Sequence, residues 1–84
     1  MQEVYVSNRI RLRHARAQLG ISQEHLGKLA GVAIATMVRA EKGELIQLLT
    51  AQAILNALNT ERAERNLQPF ALDDLEWTVQ GESR

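Results

Sequence analysis

The chain has 84 residues, 45% of them hydrophobic, and its ten basic side chains balance ten acidic ones. That length allows one small domain with a modest core, and that hydrophobic content argues against disorder along most of the chain. The absence of cysteine excludes a disulfide framework and any cysteine-based metal site.

His14 and His25 stand far apart without other evident ligands, so no metal and no cofactor are expected. No apolar run approaches the length of a membrane span, and the start, "MQEVYVSNRIRLR", lacks the hydrophobic centre of a signal peptide. The expectation is a soluble, cytoplasmic protein with no membrane contact. The zero net charge hides an asymmetry. Residues 1–43 carry seven basic side chains against three acids, a net of +4, and residues 44–84 carry three against seven, a net of −4. A basic half suits a polyanionic partner.

In chain order, a first helix is predicted over residues 7–19, with Ser7 or Asn8 as its cap and Gly20 as its stop. At about 100° per residue, Leu12, Ala15, Arg16 and Leu19 share one face, and Arg9 and Arg13 lie at its edge. An arginine on an apolar face needs a partner if it is buried. A second helix starts at the cap Ser22 and runs through Leu26 and Leu29 to Ala30, where Gly31 supplies the positive φ of a sharp turn. A third helix follows over about residues 33–41, with Met37 and Ala40 inward and Gly43 at its end. "LIQLLTAQAILNALN" reads as a fourth helix with Leu48, Ala51, Leu55 and Leu58 on one stripe. "TERAERNLQ" fits an extension of that helix or a loop. After Pro69, Asp73 and Asp74 in "FALDDLEWTV" suit a first helical turn, while the alternation in "LEWTV" also permits a short strand.

Arg16, "GISQEHLG" at 20–27, Gly31-Val32 and "EKG" at 41–43 together resemble the phage-repressor-like family of bacterial regulators, also called the XRE family. The likeness covers residues 9–58, with the helix-turn-helix itself at 22–43 and a C-terminal extension at 60–84. It implies an all-α, five-helix, phage-repressor-like helix-turn-helix domain filling residues 1–84. In that arrangement Leu26, Ala30, Val32, Met37 and Ala40 set the angle between the second and third helices. Gly27 stands where the helices approach too closely for a long side chain. The resemblance also pairs Arg16 with Glu41, which answers the odd arginine of the first helix.

The second helix of such a motif lies in the major groove. The resemblance therefore puts base contacts on Ala33, Ile34, Ala35, Val38 and Arg39. Arg39 is the one strong hydrogen-bonding reader, suited to guanine O6 and N7, while Ile34, Ala35 and Val38 suit thymine methyls. Phosphate contacts fall to Gln23, where the family uses a glutamine, with Thr36, Lys42, Arg9 and Arg13 as further candidates. Arg11 is expected to face solvent, and Lys28 to point away from the groove.

Double-stranded DNA is thus the expected partner of a repressor-like homodimer on a palindromic site. Phe70, Leu72, Leu75, Trp77 and Val79 either form the dimer interface or cap the domain's own core. The alternative is a protein-interaction module, antitoxin-like or scaffold, that meets a protein partner through Ile34 and Val38. An enzyme is not expected. Ser22 with His25 is explained by a helix cap, and the glutamates form no ligand pattern with either histidine.

Overall fold

A computed structural model of the chain describes residues 9–81. The elements are β1 (Ile10–Arg11), α1 (Leu12–Leu19), α2 (Gln23–Ala30), α3 (Ile34–Glu41), β2 (Leu45–Gln47), α4 (Leu48–Glu64), a 3-10 turn (Leu72–Asp74), β3 (Leu75–Glu76) and β4 (Thr78–Gln80). The described residues thus form four α-helices where five were expected, and short strands join them. The would-be fifth helix is the extended segment 75–80. Its side chains alternate, with Leu75, Trp77 and Val79 buried and Glu76, Thr78 and Gln80 exposed. That period of two matches a strand lying on a core, not a helix.

This segment pairs twice, each time in parallel. Ile10 and Arg11 lie opposite Leu75 and Glu76, and Leu45, Ile46 and Gln47 lie opposite Thr78, Val79 and Gln80. Both partner strands directly precede a helix. The C-terminal segment therefore ties the start of α1 to the start of α4. The first helix accordingly begins at Leu12 and not near residue 7, because Ile10 and Arg11 are extended in the ladder. The caps foreseen at Ser7 and Asn8 lie outside the described residues.

Leu12, Ala15 and Leu19 of α1 are buried, and Arg16 beside them is partly so. In α4 the buried stripe is Ala51, Ile54, Leu58 and Arg62. Leu48 and Leu55, expected on that stripe, are half-buried at its margin. Steps of three and four residues from Ala51 admit either Ile54 or Leu55, and only the neighbouring elements decide between them. The helix also starts later than expected, since residues 45–47 form β2, and it runs on through "TERAE". The boundary drawn at residue 60 falls inside it.

Arg62 is the one charged residue buried as a whole among the described residues, and it has no acidic partner there. Its Nε donates to the Gln68 carbonyl at 2.6 Å and its Nη1 to Gln18 Oε1 at 3.2 Å, while the guanidinium lies 3.9 Å over the Phe70 ring. Asn59 holds Phe70 through the backbone, accepting its N–H at 2.8 Å and donating to its carbonyl at 2.9 Å. Trp77 Nε1 donates to the Leu72 carbonyl at 3.1 Å, which satisfies its one polar atom.

Leu75, Trp77 and Val79 belong to the main core, and Phe70 and Leu72 pack against it. Within the single chain these five residues pack in or against its own core.

Candidate nucleic-acid interface

The motif begins at Ser22, whose Oγ accepts the His25 N–H at 3.0 Å and caps α2. The helix ends in a Schellman-type closure. Gly31 N–H donates to the Lys28 carbonyl at 3.2 Å and Val32 N–H to the Gly27 carbonyl at 2.8 Å. Gly31 takes φ +71°, the left-handed value that the turn requires and that glycine adopts without a steric penalty. At Gly27 the approach of α3 is the constraint. A Cβ there would stand 3.0 Å from Met37 Cγ and 3.0 Å from the Val32 carbonyl oxygen.

Helix α3 is seated by Met37 and Ala40, both fully buried. Its far end is held by a two-pronged ion pair. Arg16 Nε donates to Glu41 Oε2 at 2.8 Å, and Nη2 donates to Oε1 at 3.1 Å. Arg16 Nη1 also donates to the Ile21 carbonyl at 3.1 Å, so one side chain joins α1, the α1–α2 turn and the end of α3. The pair leaves no unsatisfied charge beneath the motif, as a partly buried site demands.

The face of α3 opposite that seat carries the candidate base contacts. Ala33 is the N-cap residue, without a side-chain cap, and Ala33, Ile34, Ala35 and Arg39 are exposed. Ile34 keeps 49% of its surface exposed, a large amount for its type. Val38 is half-buried and offers only part of its side chain.

Arg39 is exposed and has two contacts within the chain. Its Nη2 donates to the Leu45 carbonyl at 2.9 Å, and its Nε lies 3.4 Å from Glu44 Oε1. The turn after α3 makes this possible. Gly43 takes φ +81°, and Glu44 N–H returns to the Arg39 carbonyl at 3.0 Å.

The candidate phosphate contacts do not form one cluster. Gln23 is half-buried as the first residue of α2, and Thr36 is half-buried on α3. Thr36 and Arg39 line an open depression with Gln47, Thr50 and Gln80. Lys42 instead lines a second depression with Arg11, Glu41 and Glu76. Arg11 is exposed there and lies 3.7 Å from Glu76. Arg9 and Arg13 are exposed before and within α1, and Lys28 is exposed on α2.

Glu44, Gln47, Thr50 and Gln80 escaped the sequence reading. Glu44 follows Arg39 by five residues across a glycine, which was the available signal for a return contact. The approach of Gln80 to Gln47 depends on the parallel pairing of β2 with β4 and leaves no local trace.

Among the described residues, no helix is long and apolar enough to cross a membrane, and no three His, Cys, Asp or Glu side chains cluster as metal ligands would. No match was found among curated proteins or among solved structures. The family comparison is positive, and it spans all of α1 to α4, with the ion pair and the whole turn inside it. Residues 12–65 match the model described as helix-turn-helix, and the chain belongs to that family, the DNA-binding transcription regulators of the XRE kind.

Proposed function

We propose that the chain is a sequence-specific regulator of repressor-like action that reads the major groove of double-stranded DNA with α3. The observation that carries this reading is the contrast between the two faces of that helix. Met37 and Ala40 are wholly buried, while Ala33, Ile34, Ala35 and Arg39 on the other side are exposed. Arg39 would read guanine through O6 and N7, and Ile34, Ala35 and Val38 would pack on thymine methyls. Gln23, Thr36, Lys42, Arg9 and Arg13 would supply phosphate contacts, with Gln23 at the start of α2 the foremost. A module this small gains affinity by doubling, so a homodimer on a palindrome is part of the proposal.

A second reading has its own support in the apolar character of that exposed face. Ile34, with Ala33 and Ala35 beside it, would also suit a protein partner in an antitoxin-like or scaffold role. Salt separates the two. Contacts to several phosphates weaken steeply with added salt, and an apolar protein contact does not.

The test is selection from a random duplex pool, followed by anisotropy titrations on the enriched sequences at two salt concentrations, with Arg39→Ala in parallel. A palindrome, a steep salt dependence and lost discrimination in the variant are expected. No enrichment, together with no binding at low salt, would overturn the DNA reading in favour of a protein partner.

A further inference from the structure

The guanidinium of Arg39 has two usable edges. Its side edge, Nε with the nearer N–H of Nη2, faces the Glu44 carboxylate at 3.4 Å and the Leu45 carbonyl at 2.9 Å. Its end, Nη1 with the outer N–H of Nη2, makes no hydrogen bond or ion pair among the described residues. With Nη2 hydrogen-bonded to a backbone carbonyl and Nε beside a carboxylate, the guanidinium leaves its end open as a fork with two parallel donors. That is the geometry guanine O6 and N7 require. A free arginine on a helix surface would lose rotamer freedom on making the same contact.

Glu44 is an unfavourable residue on electrostatic grounds alone. It is half exposed, five residues from a candidate base reader, on a surface that is to meet a polyanion. A carboxylate there repels phosphate. Its neighbour Leu45 presents its carbonyl to the same guanidinium, so side chain and backbone act on Arg39 together.

We infer that Glu44 is a positioning residue for guanine recognition. It acts through Arg39 and not on DNA, fixing the side edge so that the end-on fork meets the base, at a cost in general affinity for DNA. The inference rests on the reading of Arg39 as a base contact. It makes Glu44 a determinant of specificity that opposes binding strength.

The two roles of Glu44 have opposite signs, and the experiment reads both. Wild type, Glu44→Gln, Glu44→Ala and Arg39→Ala are titrated against the selected duplex, the same duplex with 7-deazaguanine at the selected guanine, and an unrelated duplex. Glu44→Ala is expected to bind the unrelated duplex about two- to threefold more tightly, because one repulsive charge is gone. Its preference for guanine over 7-deazaguanine is expected to fall roughly fivefold, the scale of a weakened bidentate contact. Glu44→Gln keeps a side-chain oxygen within reach of Nε and is expected to retain more of that preference, although it has lost the same charge. A merely structural or merely repulsive role would not give that order.

If Glu44→Ala tightens binding to all three duplexes by one common factor, the positioning role is overturned and Glu44 is only a repulsive charge. If Arg39→Ala keeps the full guanine preference, the base-reading role of Arg39 fails, and the positioning role fails with it. Loss of preference in Arg39→Ala with none in Glu44→Ala sinks the positioning role alone.

Discussion

Arg16 and Glu41, 25 positions apart in the chain, meet through both carboxylate oxygens at 2.8 and 3.1 Å, with 7% of the Glu41 side chain exposed. Removing one member leaves the other charge unpaired in a site that water barely reaches. Arg16→Met is therefore expected to lower stability by about 3 kcal/mol, while Arg16→Met with Glu41→Leu recovers most of the loss. Urea midpoints of the three proteins check this. Additive losses in the double variant would show that the pair is not the cause.

Gly27 and Met37 set how closely α2 and α3 pack. Gly27→Val places three carbons where one would already stand at 3.0 Å from a side chain and from a backbone carbonyl. Overpacking of this kind costs about 1–3 kcal/mol. Shortening the flexible neighbour with Met37→Ala is expected to relieve part of the strain, but not the part set by the Val32 carbonyl. A double-mutant cycle on thermal unfolding would show a favourable coupling between the two changes. No coupling would mean that the close approach lies elsewhere.

Arg62 is held by three different groups, and each can be tested. Arg62→Met leaves the Gln68 carbonyl and Gln18 without their donor and removes the cation from the Phe70 face, for a loss of about 2 kcal/mol. Arg62→Lys keeps the charge but cannot present a planar fork to both acceptors, so its loss should fall between wild type and Met. Equal stability of Lys and wild type, measured by calorimetry, would argue that charge alone matters at this position.

The C-terminal segment is part of the core. Burying side chains the size of Leu75, Trp77 and Val79 contributes about 1.5–3 kcal/mol each, against the roughly 5–15 kcal/mol available to a whole domain. A chain ending at residue 74 is expected to lose its cooperative thermal transition, as followed by far-ultraviolet circular dichroism. Melting within a few degrees of the full chain would mean that α1–α4 stand without the segment.

The apolar part of the reading face predicts its own signature. Replacing thymine with uracil in the selected duplex removes only the C5-methyl. Each contacted methyl is expected to weaken binding about threefold, on the scale of one buried carbon group. Ile34→Ala should abolish that difference at its own position. Equal affinity for the thymine and uracil duplexes would leave Ile34 without a role at the bases.

The sequence by itself determined α2, the turn and α3. Each of their signals is local: Ser22 caps its own helix, Gly31 adopts a φ that other residues resist, and Met37 and Ala40 recur at helical spacing. The position of Arg16 on an apolar face announced that it needed a partner, and the family resemblance named Glu41. Only the tertiary structure decided the rest. Asp73 and Asp74 suit the first turn of a helix, while residues 75–80 after them alternate as a strand does. They became strands because the stretches before α1 and α4 offered unpaired backbone beside an open core. Which of Ile54 and Leu55 faces inward, and what holds Arg62, likewise depend on side chains far away in the chain. For the tether of Arg39, the sequence showed a glycine between it and Glu44 but not the direction the chain takes after that glycine. A glycine with positive φ folds Glu44 and Leu45 back on the helix, and the direction of a chain after such a turn is set by packing, which no single stretch of residues encodes.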